Sequence, residues 1–183
     1  MRKKCFLITG RPGIGKTTAL HRIAEMLSKR GYSVGGMVTF EVRERGRRVG
    51  FKIRDILEGR EGWLAHIGFK SGPRVGKYIV NLNDLNEIGV QAILSAVERA
   101  DVVCIDEIGP MELYSREFKN AVLRAFDSGK PVVATIHIRA DRDPFARSIK
   151  RREDVELYVL SLENRNRVPV QIFEKILALL AKS

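Results

Sequence analysis

The chain has 183 residues, enough for one domain with a sizeable core and too few for two ordinary ones. Its 44% apolar and 30% charged residues describe a soluble globular protein, and no apolar run approaches the ~18 residues of a membrane span. A net charge of +11 favours polyanionic partners without choosing among nucleotides, nucleic acid and acidic surfaces, and a solvated Lys/Arg/Glu surface of the heat-stable kind is the plainer account. Met1-Arg2-Lys3-Lys4 precedes an apolar run that ends at Arg11-Pro12, too short for the apolar core of a signal peptide, so a cytoplasmic location is expected. Cys5 and Cys104 both fall in predicted buried strands, which suits a reducing compartment, and their spacing makes no metal site.

The first element in chain order is a short apolar strand, Cys5-Phe6-Leu7-Ile8. Gly10-Arg11-Pro12-Gly13-Ile14-Gly15-Lys16-Thr17 follows, satisfying G-x-x-x-x-G-K-[ST], the phosphate-cradling P-loop. Leu20, Ile23, Ala24 and Leu27 then mark one face of a helix. Strand, glycine turn and helix together let successive N–H groups converge on an anion in front of a helix N-terminus. Lys16 adds a mobile charge for the β- and γ-phosphates, and the Thr17 hydroxyl is placed to ligate Mg²⁺.

Lys29-Arg30-Gly31 ends that helix, and Val34 to Val42 with Val49 to Ile53 read as a β-hairpin with Arg45-Gly46-Arg47-Arg48 at its tip. Asp55 to Gly76 is broken by glycines into short strands and turns, with Trp63 and His66 read as packing residues. Tyr78-Ile79-Val80 is a short strand. Asp84 to Ala100 reads as a helix with an apolar face broad enough to lie on a sheet.

Val102-Val103-Cys104-Ile105-Asp106-Glu107 is a buried strand with two carboxylates at its C-terminal end, where ligands bind in open α/β sheets. Asp106 is placed as the Walker B acid for Mg²⁺, and Glu107 to orient or deprotonate an attacking water. An acid directly after that Asp marks the P-loop division of RecA-like and AAA+ ATPases. Those folds insert an extra strand between the P-loop strand and the Walker B strand. Pro131 to Ile136 is the candidate, delivering Thr135 or His137 near the γ-phosphate, and Ser115 caps the helix before it. A short helix within Asp141 to Arg152 carries a basic cluster and Pro144 near its first turn. A strand at Val155 to Leu160, the Asn164-Arg165-Asn166-Arg167 turn and a closing helix with Val170, Phe173, Ile176 or Leu177, and Leu180 inward complete the chain. The expected fold is α/β: one P-loop domain over 1–183, with a mostly parallel central sheet flanked by helices and an added β-hairpin.

With both centres in hand, the sequence resembles the small nucleoside-triphosphatase family first recognised in thermophiles, which has cancer-related relatives in animals. The carriers are Gly10 to Thr18, the Gly50-Phe51 hairpin return, Arg74-Val75-Gly76-Lys77-Tyr78 and, above all, Ile105-Asp106-Glu107-Ile108-Gly109-Pro110-Met111-Glu112-Leu113. The resemblance implies a RecA-like fold and Mg²⁺-dependent hydrolysis of ATP, GTP and other nucleoside triphosphates, with broad base tolerance. It adds Asn164 and Arg165 to a nucleotide-binding set of Gly10, Arg11, Pro12, Gly13, Ile14, Gly15, Lys16, Thr17 and Thr18. Glu107 and Lys16 are the expected catalytic pair, and Thr17 and Asp106 the metal ligands. A monomer without a membrane partner is expected. The rival functions are a P-loop nucleoside or nucleotide kinase and a nucleic-acid-responsive ATPase; no recognised nucleic-acid signature accompanies the basic patches.

Overall fold

The computed structural model describes residues 2–183. Among these residues nine strands form one sheet in the order β5-β6-β4-β3-β2-β7-β8-β1-β9. Strand β1 (Cys5–Thr9) pairs in parallel with β8 (Val132–Ile136) and β9 (Val155–Val159). Strand β7 (Val102–Ile108) pairs in parallel with β8 and β2 (Val34–Glu44). The expected inserted strand is therefore β8, between the P-loop strand and the strand bearing Asp106.

Side-chain alternation makes this half of the sheet two-faced. Cys5 and Leu7 of β1, Val103 and Ile105 of β7, and Val132, Ala134 and Ile136 of β8 face one core. Phe6 and Ile8, Val102 and Cys104, and Val133 face the other. Strands apolar on both faces need helices on both. The first core is closed by α3 (Gln91–Arg99), α4 (Arg116–Asp127) and α5 (Pro144–Lys150), and the second by α1 (Lys16–Lys29) and α6 (Val168–Leu180). Both cysteines lie in these cores, and burial pushes each thiol up to about 12.

The hairpin grows into an antiparallel wing. Residues 34–37 of β2 pair in parallel with β7, and residues 37–44 pair antiparallel with β3 (Arg47–Asp55). The wing continues through β4 (Glu61–His66), β6 (Tyr78–Val80) and β5 (Arg74–Val75). Half the sheet ladders are thus antiparallel. The hairpin tip is only Arg45-Gly46, at φ 51° and 77°, the two left-handed residues of a primed turn; Arg47 and Arg48 already belong to β3.

Two other expectations shift in detail. The helix expected from Asp84 starts as α2 (Leu82–Asp84), capped by the Asn81 side chain, widens to π-type over residues 85–90, and continues as α3. The widened turn brings Gly89 against Met37 of β2 and Ile53 of β3, a close approach that a side chain would obstruct. Ser115 caps α4 as expected, accepting the Phe118 N–H at 3.0 Å. Helix α6 turns Phe173, Ile176, Leu177 and Leu180 onto the second core as expected, but Val170 is 37% exposed and Val168 and Ile172 are buried instead. Pro169 in the first turn starts the helix earlier, so the inward stripe runs from Val168.

Gly36 fixes the junction between the two halves. It pairs with Cys104 at φ 113°, and a Cβ there would stand 1.9 Å from the Cys104 carbonyl oxygen. Backbone cannot yield as a flexible side chain can. Gly36→Ala is expected to lower unfolding free energy by roughly 2–4 kcal/mol, read as a shifted denaturant midpoint.

Candidate active site

Strand β1 ends at Thr9, and the chain turns through Gly10, Gly13 and Gly15 before α1 begins at Lys16. Gly13 and Gly15 have φ of 79° and 112°, conformations that turn successive N–H groups inward and that side chains resist. Helix α1 has no acidic residue in its first turn, so its positive end faces the loop unopposed. Ile14 is buried in the second core and its N–H donates to the Arg11 carbonyl at 3.2 Å, anchoring the loop from behind. Arg11 and Pro12 are exposed.

Three hydroxyl and carboxyl groups meet beneath the loop. The Thr17 hydroxyl donates to Asp106, 3.3 Å from Oδ1 and 3.1 Å from Oδ2. The Thr135 hydroxyl donates to Asp106 Oδ1 at 2.7 Å. The Asp106 side chain is buried, and desolvation raises its pKa against the opposing pull of the two hydroxyls. A buried carboxylate answered by two hydroxyls and the Thr39 backbone favours the approach of a cation.

Lys16 and Glu107 make the second cluster. Lys16 Nζ donates to the Gly10 carbonyl at 3.0 Å and lies 3.6 Å from Glu107 Oε2. Burial raises the Glu107 pKa, and the Lys16 charge opposes that rise. The Asp106–Glu107 peptide is cis. Gly109 leaves the room that Glu107 occupies: a Cβ there would lie 2.5 Å from Glu107 Oε1.

These groups line one cleft of about 530 Å³, at the C-terminal ends of the parallel strands. Its walls include Pro12, Gly13, Gly15, Lys16, Thr17 and Thr18 on the loop side, with Asp106 and Glu107 beside them. The β2–β3 wing adds Thr39, Glu41 and Phe51, and the segment after β7 adds Met111 and Glu112. Sequence reasoning assigned Glu112 nothing beyond its place in the Ile105–Leu113 stretch. Its carboxyl is buried and pushed well above the usual range by desolvation, then by Glu107 and Asp106. An acid between apolar Met111 and Leu113, a few residues past two others, was the available signal.

Asn164 and Arg165 stand apart from this cleft. The Asn164 side chain closes its own turn, accepting the Ser161 N–H at 2.7 Å and donating to the Val159 carbonyl at 2.9 Å; Arg165 is exposed. The turn adjoins the back of the P-loop, where a Cβ on Gly10 would lie 3.2 Å from the Leu160 carbonyl. His137 lines the cleft, while Thr135 lies beneath it on Asp106. Among the described residues no three His, Cys, Asp or Glu side chains converge as metal ligands, and no helix is long and apolar enough to cross a membrane.

The family model described as NTPase matches residues 5–173. The chain is 58% identical over 182 residues to the nucleoside-triphosphatase THEP1 of Thermofilum pendens, covering 100% of both. It is 50% identical over 160 residues to THEP1 of a Thermotoga species, covering 87% of this chain and 88% of that one. Two solved structures share the fold. THEP1 from the hyperthermophile Aquifex aeolicus has a TM-score of 0.81 at 38% identity, over 96% of this chain and 98% of that one. The human cancer-related nucleoside triphosphatase has 0.79 at 34%, over 97% and 98%. Sequence match along nearly the whole chain and a shared fold agree with the two motifs meeting in one cleft: this chain belongs to the NTPase family.

Proposed function

We propose that the chain hydrolyses nucleoside 5′-triphosphates to diphosphates and phosphate in the cleft between the P-loop and the end of β7. The observation carrying this reading is the convergence of Lys16 with Glu107 and of Thr17 with Asp106 in one cleft. The N–H groups of Gly13 to Thr17 and the Lys16 ammonium hold the β- and γ-phosphates, the groups every nucleoside triphosphate shares. Broad base tolerance follows from recognition of that kind. Asn164 and Arg165, on the turn behind the loop, serve the nucleotide's other end.

The donor set suits Mg²⁺. Thr17 and Asp106 offer hard oxygen ligands, and two protein ligands are what this ion commonly takes beside phosphate oxygens and water. When bound, the ion neutralises charge developing on the phosphates. Thr135 keeps the Asp106 carboxylate oriented. Glu107 orients a water for in-line attack on the γ-phosphorus and takes up its proton as the new P–O bond forms and the bond to the β-phosphate oxygen breaks.

One sheet running through the chain supports a single domain over 1–183. Nucleic acid is not assigned as a partner. Arg43 and Arg48 of the basic hairpin bond Glu41, Arg54 pairs with Glu61, and Lys52 sits over the Trp63 ring. The aromatic surface that base stacking would need is itself packed, with Trp63 against His66 and Phe69.

Glu107→Gln should leave nucleotide binding nearly intact while turnover falls ~10²–10⁴-fold, the range for removing a positioned base. Unchanged turnover would take Glu107 out of the role. Lys16→Ala should weaken both binding and turnover, and full activity there would sink the assignment of the cleft. Gly109→Ala separates geometry from folding. The clash falls on the flexible end of Glu107, so the melting temperature should shift little, while turnover drops about tenfold or more as the carboxylate is displaced. Wild-type turnover in Gly109→Ala would show that the Glu107 position is not critical.

A further inference from the structure

A second chamber of about 520 Å³ adjoins the nucleotide cleft and shares Val75, Pro110 and His137 with it. Its wall carries Arg74 from β5, Tyr114 from the segment after β7, and Arg139, Arg142 and Asp143 from the link between β8 and α5. Among the described residues none of these three arginines makes an ion pair, whereas Arg43, Arg48, Arg54, Arg99 and Arg152 each do. The chamber's one acid, Asp143, is engaged as the cap of α5 through the Ala146 N–H at 2.9 Å.

His137 forms the partition between the two spaces. Its Nδ1 accepts the Arg139 backbone N–H at 3.1 Å, so the neutral ring carries its proton on Nε2 as a donor. Burial disfavours the imidazolium, and the charges of Lys16, Arg139 and Arg142 disfavour it further. Lys16 lines the cleft on one side of this ring, and Arg139 and Arg142 line the chamber on the other. Guanidinium forks, an imidazole N–H and a phenolic hydroxyl are all donors, and guanidinium geometry matches phosphate oxygens two at a time.

We propose that this chamber is a second phosphate subsite, which takes a phosphate dianion beside the γ-phosphate position. Two sources have that chemistry: the orthophosphate released by hydrolysis next door, and the phosphomonoester of a second small molecule. The inference rests on the assignment of the neighbouring cleft to the triphosphate.

The test is initial-rate nucleoside-triphosphate hydrolysis with added orthophosphate or, in a separate arm, glycerol phosphate. Chloride controls match the ionic strength, because screening alone weakens charge contacts. Wild type is compared with Arg139→Ala/Arg142→Ala and with Arg74→Ala, all at exposed positions. The double variant should raise the orthophosphate inhibition constant about tenfold or more, as expected for losing charge-assisted hydrogen bonds, with turnover in the absence of phosphate changed by less than about tenfold. A parallel loss of inhibition by glycerol phosphate assigns the chamber to external phosphomonoesters, and a loss confined to orthophosphate assigns it to the product. Equal phosphate inhibition in wild type and variants overturns the subsite, since inhibition then belongs to the P-loop alone. A fall in turnover of ~10³–10⁵ also overturns it, being the signature of an arginine acting on the transition state. Nucleotide binding measured on the same proteins keeps the two readings apart. Its failure in wild type removes the cleft assignment, whereas its persistence with unchanged phosphate inhibition removes the chamber only.

Discussion

The hydrogen bonds that converge on the Asp106 carboxylate tie the structure together. Thr17 reaches it from the first turn of α1, and Thr135 from the end of β8. A carboxylate this buried costs several kcal/mol unless it is answered by donors or a cation. Its place at the end of a strand that is apolar on both faces therefore demands that helix, loop and inserted strand meet at one point. The P-loop is held in position by the same contact that prepares an oxygen ligand. Fold and site share one constraint.

That constraint explains the need for β8. With β1 and β7 directly paired, Thr135 would have no position between them. Inserting a strand places its hydroxyl on Asp106 while its backbone bridges the two functional strands through parallel ladders on either side. The ladder between β7 and β8 shifts register between Ile105 and Ile108, the stretch that carries both acids, so regular pairing gives way where Glu107 must turn toward Lys16.

Legibility in the sequence followed the strength of local signals. The P-loop, the apolar run into Asp106-Glu107 and the Ser115 cap each combine a motif with a periodicity, and the strands and helix they imply are present. The antiparallel wing was only half visible, because residues 55–76 form strands through pairing with β3 and β6 rather than through their own pattern. Only the first inward position of α6 was misread, because Val168 and Val170 are equally apolar and packing selects the first. The π-type turn sets Gly89 against Met37, a contact between distant residues that no local pattern marks. Gly109 was inside a recognised stretch, yet its role arises from a distance to Glu107 that no spacing rule encodes.

Charge shows the same division between what composition gives and what pairing decides. A net charge of +11 is one number, and the basic hairpin and the basic cluster after β8 look alike within it. In the fold they differ. Arg43, Arg48 and Arg54 of the hairpin face carboxylates two to seven residues away in sequence, across tight antiparallel pairing that brings opposite charges together. Arg139 and Arg142 follow a parallel strand, and the rim they reach also holds His137 from the end of β8, Tyr114 from the segment after β7 and Arg74 from β5, with Asp143, held as the cap of α5, its one acid. Parallel strand ends gather loop residues at one rim of the sheet. Positive charge left unpaired at that rim therefore lies beside the nucleotide cleft, where field from Lys16 and the α1 N-terminus adds to it. The feature that makes this rim a binding edge for one phosphate group extends it to a second.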